Sequence, residues 1–393
     1  MTMSKRSIFT NSVHAGERPA DHFGAVSTPV YNASVFAFEN ADEGAAVHNH
    51  LKHGYYYGRL GNPTQEALER AIAELESAES ALTFASGMAA ISAVILTVAG
   101  KGDHIVALES MYSTTTSLLK HLSERFGVEV SFVDGTDPDA YAEAARDNTT
   151  LFWIESPSNP RLNVTDIARL SEIAKEKGVL TIADNTFATP FNQNPIELGA
   201  DLVVHSATKY LGGHSDLTAG ILAGRADIVE EARMKAARYF GGNIAPQVAW
   251  LVLRGIKTLA VRMRQHNENA YAIANMLSSH PKVIEVFYPG LESHPGHSVA
   301  ARQMRGFGGM VAFDLGGIEE GKRFINALEL VSIATSLGGV ESIIQHSASM
   351  THSTLSPDER RKAGIADGMM RFSVGIEDKD DIQDDLRKAL EAV

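Results

Sequence analysis

Three short stretches place reactive side chains directly after apolar runs. In Thr83-Phe84-Ala85-Ser86-Gly87-Met88-Ala89-Ala90 an apolar run stops at Ser86-Gly87 and a helical pattern begins. Small residues there let backbone N–H groups approach an anion, and a helix N-terminus favours negative charge. In Leu180-Thr181-Ile182-Ala183-Asp184-Asn185-Thr186 the carboxylate of Asp184 ends a second run. It could pair with a protonated ring nitrogen, or it could cap a turn. In Leu202-Val203-Val204-His205-Ser206-Ala207-Thr208-Lys209-Tyr210 a third run ends in two hydroxyls and a lysine. An enclosed lysine has a depressed pKa, so the neutral amine of Lys209 could form a Schiff base with an aldehyde. Ser206 and Thr208 could donate to a phosphate. Each stretch alone also reads as ordinary structure: a tight turn, a helix cap, a surface lysine.

Bringing the three together requires the runs to end on one side of a sheet. Apolar runs recur at Ala81–Ala85, His104–Leu108, Val128–Val133, Thr150–Ile154, Leu180–Ala183, Leu202–Val204 and Ala219–Leu222. Helical patterns lie between them, as in Thr64–Ser77 with Leu68, Ile72 and Leu75 at helical spacing. The alternation predicts an α/β fold, with a mostly parallel central sheet sandwiched by helices. Ligands bind at the carboxyl ends of such strands. A long helix is expected over Val248–Met263. A smaller C-terminal α/β domain follows, with strands at Val283–Tyr288, Gly309–Leu315 and Met370–Val374. The first 60 or so residues show no clear periodicity and are rich in Tyr, His, Asn and Pro. So long a stretch in a compact protein is functional or wraps a partner subunit. The expected organisation is an extended N-terminal segment over 1–61, a cofactor-binding domain over 62–255 and a C-terminal domain over 256–393.

Composition narrows the classes of function. The chain has 393 residues, 44% of them hydrophobic, which suffices for one large core and a smaller one. No run approaches the ~18 apolar residues of a membrane span. Met1–Val13 lacks an apolar secretory core, so the cytoplasm is expected. A net charge of −13 without a basic stripe disfavours nucleic acid and membrane partners. The absence of cysteine excludes disulfides, thiolate metal sites and cysteine nucleophiles. His48, His50 and His53 lack the carboxylates or second triad of a metal centre, so no metal is expected. Ser206-Ala207-Thr208-Lys209 also matches the Ser-x-x-Lys of penicillin-recognising hydrolases, but no Lys-Thr-Gly or Ser-Asp-Asn accompanies it. Gly316–Lys322 resembles a P-loop, yet Arg323 stands where magnesium needs a hydroxyl.

An anion cradle, a ring-nitrogen carboxylate and an amine are the parts that pyridoxal 5'-phosphate needs. Longer motifs carry a specific resemblance. They are Tyr57-Gly58-Arg59-Leu60-Gly61-Asn62-Pro63-Thr64, Glu155-Ser156-Pro157-Ser158-Asn159-Pro160, Ser206-Ala207-Thr208-Lys209-Tyr210, Ser336-Leu337-Gly338-Gly339, Met350-Thr351-His352 and Arg371-Phe372-Ser373-Val374-Gly375. In content and order they resemble the trans-sulfuration family of pyridoxal-phosphate enzymes. That resemblance implies the fold of the type I pyridoxal-phosphate enzymes. It implies that Lys209 bonds the cofactor and then carries protons, and that Asp184 keeps the ring nitrogen protonated. Tyr112 is implied to stack on the ring and to protonate the leaving thiolate. Gly87, Met88, Ser206 and Thr208 are implied to hold the phosphate. Asn159 is implied to face the ring oxygen, and Arg371 to grip the substrate carboxylate. The backbone near Ser336 is implied to steer Lys209. Tyr57 and Arg59 are implied to complete a neighbouring subunit's site, within a homotetramer built as a dimer of active-site-sharing dimers.

Substrate choice rests on fewer positions. Family enzymes that act on cystathionine resemble one another in an arginine five residues after the stacking tyrosine; here it is Ser117. The residue after Arg59 is the uncharged Leu60, and the residue before Ser336 is Thr335 where glutamate is common. A distal carboxylate then lacks its usual partner, and an unpaired buried charge is costly. The resemblance is nearest to methionine γ-lyase, notably over Gln345–Ser353, although Thr114 replaces the usual cysteine and Arg238-Tyr239 a Lys–Asp pair. The expectation is γ-elimination of L-methionine or a related amino acid, to 2-oxobutanoate, ammonia and a thiol. The alternative is a γ-replacement enzyme (cystathionine γ-synthase or O-acylhomoserine sulfhydrylase type) or a cystathionine γ-lyase.

Overall fold

Seven strands form the larger sheet: β1 Ser80–Phe84, β2 His104–Leu108, β3 Glu129–Val133, β4 Thr149–Glu155, β5 Leu180–Asp184, β6 Leu202–Ser206 and β7 Gly220–Gly224. The computed structural model describes residues 6–350, 360 and 364–393. The strand order is β1-β7-β6-β5-β4-β2-β3, parallel from β6 to β3. Only β7 runs against its neighbours, so β1 points the same way as β6. Helices cover both faces, and β2 and β7 are buried at every position. That burial explains why these strands read as continuous apolar runs rather than alternating ones.

The chain leaves β2 toward β3 and then returns to place β4 on the other side of β2. The crevice between β2 and β4 is therefore a switch point, where ligands bind beyond the carboxyl ends. Each of the seven expected runs is a strand. Several continue past the last apolar residue; of these, β4 ends on Glu155 and β5 on Asp184, which are register partners.

The smaller sheet contains β8 Glu285–Phe287, β9 Met310–Asp314, β10 Ser332–Ile333, β11 Ile343–His346 and β12 Met369–Ser373, in the order β10-β11-β12-β9-β8. Neither β10 nor β11 was expected. A two-residue strand has no pattern, and β11 buries two polar residues, Gln345 and His346. The His346 ring bonds Ser349 Oγ and the Asp367 carbonyl, which removes the penalty that made it look like loop.

The helix expected over Val248–Met263 is two helices, Pro246–Ile256 and Leu259–Ser278. At the break the Thr258 hydroxyl donates to the Gly255 carbonyl, and Arg262 Nη2 donates to the same oxygen. Leu259 and Met263 still pack with the larger sheet, whereas Ala270 onward packs with the smaller one. The N-terminal segment is less irregular than expected. It holds helices at Ile8–His14 and Ala41–His48, the latter capped by Asn40 accepting from the Glu43 N–H. Only one residue of each is buried, so neither carries an apolar stripe.

Candidate active site

The carboxyl ends of β1, β2, β4, β5 and β6 open into one cavity of about 540 Å³. Gly87, Met88, Tyr112, Thr114, Asn159, Asp184, Ser206, Thr208, Lys209, Thr335, Ser336 and Arg371 all line it. The structure thus gathers every site residue expected within a single chain.

The anion cradle comes from β1, β6 and β7. Phe84 and Ser206 flank Gly220 in register. A Cβ on Gly220 would lie 2.0 Å from the Ser86 carbonyl oxygen, and one on Gly87 would lie 2.8 Å from Ser206 Cβ. Only glycine allows this approach. Ser86 caps helix Gly87–Val98 by accepting from the Ala89 N–H at 3.1 Å. The N–H groups of Gly87 and Met88, in the first helical turn, have no protein acceptor among the described residues. The Ser206 hydroxyl faces them. The Thr208 hydroxyl is engaged with Ala219: it accepts from that N–H at 3.0 Å and donates to that carbonyl at 3.3 Å.

Asp184 lies across the cavity. Its Oδ1 accepts from the Thr186 N–H at 3.0 Å and from the Thr186 hydroxyl. Oδ2 accepts no hydrogen bond among the described residues. Burial holds the Asp184 carboxyl above the ordinary carboxylate range. A cationic partner at Oδ2 would reverse that shift.

Lys209 follows β6 and is half-buried; Nζ donates to Ser336 Oγ. Burial, then the nearby Arg371 cation, lower its ammonium pKa to about 8. Ser336 is held at φ +78°, in the left-handed region that a residue with a side chain rarely adopts. Its carbonyl accepts from Arg371 Nη2 at 2.9 Å, and Arg371 Nη1 donates to Asn159 Oδ1 at 3.2 Å. Arg371 Nη2 also donates to Gln345 Oε1 at 3.2 Å. These contacts aim a half-buried cationic fork at the cavity beside Lys209.

Three residues without an expected role complete the arrangement. Glu155 binds the loops of Tyr112 and Asn159, Thr186 orients Asp184, and Gln345 orients Arg371. The carboxylate directly after the β4 run was a visible signal for Glu155. Asp184, two residues before Thr186, carried the side-chain-to-backbone signature of an Asx turn. Gln345 opened the Gln345–Ser353 stretch that carries the resemblance, but nothing in the sequence pointed to its contact with Arg371.

Tyr57 and Arg59 lie outside this cavity. Tyr57 is 40% exposed, and the Arg59 guanidinium stacks over its ring at 5.4 Å and donates to the Arg238 carbonyl. Ser117 is also outside, with its hydroxyl turned back to the Ser113 carbonyl at 3.0 Å. Leu60 lines a separate cavity with His48, His50 and His53. Thr351, His352 and Ser353 lie outside the described residues.

The residues present fit pyridoxal phosphate: N–H donors and a hydroxyl for its phosphate, a carboxylate oxygen for its ring nitrogen, and an amine of lowered pKa for its aldehyde. Comparison with known proteins agrees. The family model described as "Cys/Met metabolism PLP-dependent enzyme" matches residues 9–391. The chain is 44% identical to an L-methionine gamma-lyase of Fusobacterium nucleatum, covering all of both chains. It is 47% identical to a cystathionine beta-lyase of Coxiella burnetii, covering 98% of each. The solved structure of metB from Corynebacterium glutamicum superposes with a TM-score of 0.92 at 40% identity, covering 98% of each chain.

Proposed function

The chain belongs to the Cys/Met metabolism PLP-dependent enzyme family, and from that premise we propose that it eliminates the γ-substituent of L-methionine or a close relative. The overall reaction takes up one water and yields 2-oxobutanoate, ammonium and methanethiol. One observation carries this choice. The charged side chains lining the cavity are Glu155, Asp184, Lys209 and Arg371. Arg371 serves the substrate's α-carboxylate, Asp184 the ring nitrogen, and Lys209 the proton transfers. Among the described residues, no cation on that lining remains for a second carboxylate, as a cystathionine tail would require. Relatives of similar identity are named for different reactions, so overall likeness alone does not separate them.

When bound, pyridoxal phosphate supplies an aldehyde that links to amines and a ring that accepts electrons from the substrate's Cα. The chain's own residues do the rest. Arg371 fixes the α-carboxylate through two parallel N–H bonds, which orients the Cα proton. Lys209, neutral above its lowered pKa, takes that proton at Nζ and then works at Cβ. Tyr112 presents its phenol at the cavity wall, where it gives a proton to the departing sulfur. The Ser336 hydroxyl holds Nζ at the mouth of the cavity between transfers.

The test is 2-oxobutanoate release from L-methionine, with L-cystathionine beside it. Methionine is expected to be preferred by about tenfold or more in kcat/KM, because an unpaired buried carboxylate is costly. Preference for cystathionine would overturn the substrate choice. Silence with both would move the reaction to replacement on an O-acylhomoserine.

The Tyr57–Arg59 pair, which lies outside the cavity, supports a second part of the proposal. Both residues serve the phosphate in a neighbouring copy's site. Arg59→Ala and Lys209→Ala chains are each expected to be inactive alone. Refolded together, they should regain about a quarter of the wild-type rate, because half of the dimers are hybrids with one intact site. No regain would show that Arg59 acts within its own chain.

A further inference from the structure

Glu155 is the charged cavity-lining residue to which the proposed reaction gives no task. It closes β4 directly beside Asp184 of β5 and is 5% exposed. Its Oε2 accepts the Tyr112 N–H at 2.9 Å, and its Oε1 accepts the Asn159 N–H at 2.8 Å. Tyr112 follows β2 and opens helix Ser113–Phe126, whereas Asn159 follows β4. The two loops therefore border the crevice at the switch point from either side. One carboxylate ties them together.

The residue type is constrained by the donors. Two backbone N–H groups require an acceptor at both ends of the side chain. A carboxyl group offers an oxygen to each donor, but glutamine would set its own NH₂ against one of them. Burying a carboxylate beside another is unfavourable. Burial and the Asp184 charge raise the Glu155 pKa to about 8, against the pull of the two N–H donors. A hydrophobic residue at this place would avoid that penalty but would leave the Tyr112 and Asn159 N–H groups without this acceptor.

We propose that Glu155 is a positioning residue that holds the Tyr112 ring and the Asn159 amide at a common spacing across the crevice. The inference rests on the roles given to Tyr112 and Asn159 above. Tyr112 can face the ring and the departing sulfur only while its backbone is held. Arg371 takes its angle partly from Asn159. Displacing either loop thus changes orientation rather than the chemical groups available.

The experiment uses the cofactor-loaded enzyme as wild type, Glu155→Gln and Glu155→Asp. Three quantities are measured: hydrogen exchange at the Tyr112 and Asn159 amides, circular dichroism of the cofactor's visible band, and kcat/KM. In wild type both amides should be protected. In Glu155→Gln at least one should lose protection, the visible dichroism should change, and kcat/KM should fall on the order of 10- to 100-fold, mostly in kcat. Glu155→Asp keeps both carboxyl oxygens and should recover part of the dichroism. Wild-type amides exchanging as in an unstructured peptide would overturn the proposal, and that holds even if the glutamine variant fails to fold. Unchanged protection and dichroism in Glu155→Gln would overturn it too, whatever happened to the rate. If wild type turned over neither methionine nor cystathionine, the proposed reaction would fail while the exchange and dichroism tests stood.

Discussion

Lys209→Ala is expected to lower turnover by about 10⁴-fold or more, and to remove the visible absorbance that marks covalently held cofactor. The amine has two tasks that alanine cannot share. It bonds the cofactor, and it moves protons at Cα and Cβ. Burial and the neighbouring Arg371 lower its pKa to about 8, so the reactive neutral fraction grows as pH rises through that value. Cofactor-free wild-type protein should accordingly take up the cofactor faster at pH 9 than at pH 7. Stopped-flow absorbance checks both statements. A Lys209→Ala protein that kept the band and the activity would place the attachment elsewhere. An uptake rate independent of pH over that range would show that protonation of this amine does not limit the step.

Asp184→Asn should be the next most damaging change, with kcat/KM down by roughly 10³-fold. Removing one member of a buried ion pair costs about 3–5 kcal/mol, and each 1.4 kcal/mol is tenfold in rate. The carboxyl is buried and raised above its ordinary range, so its ionised form needs a cation at Oδ2. A protonated ring nitrogen is such a cation. Asparagine keeps the shape and can still accept from Thr186, so the fold should persist. It cannot hold the proton on the ring. The measurement is kcat/KM together with retained cofactor absorbance. Activity within tenfold of wild type would detach Asp184 from the ring nitrogen.

The larger sheet was legible because its strands, the edge strand β3 excepted, are largely buried on both faces and read as apolar runs of three to six residues between helical patterns. The smaller sheet was half legible. β9 and β12 are apolar, but β11 carries Gln345 and His346 inward, and only their partners in three dimensions make that burial tolerable. The helix break at Lys257–Thr258 was invisible for a similar reason. Gly255 sits under the Gly212 carbonyl, where a Cβ would approach to 2.4 Å, and no periodicity records that contact.

The site divides along the same line. Lys209, Asp184 and the Ser86-Gly87 turn announce themselves locally, because each polar group interrupts an apolar strand at its carboxyl end. From those interruptions, with the motifs around them, the sequence alone determined the cofactor and singled out the groups expected to hold it. What only the tertiary structure decided is how these groups are aimed. Thr186 occupies one oxygen of Asp184 and leaves the other open. Ser336 turns through a left-handed angle to meet Lys209. Asn159 and Gln345 set Arg371, and Glu155 ties two loops that are 47 residues apart. Residue type and spacing along a strand are local properties of the chain. The direction of a side chain depends on partners brought from distant strands, and a single sequence does not display those pairings.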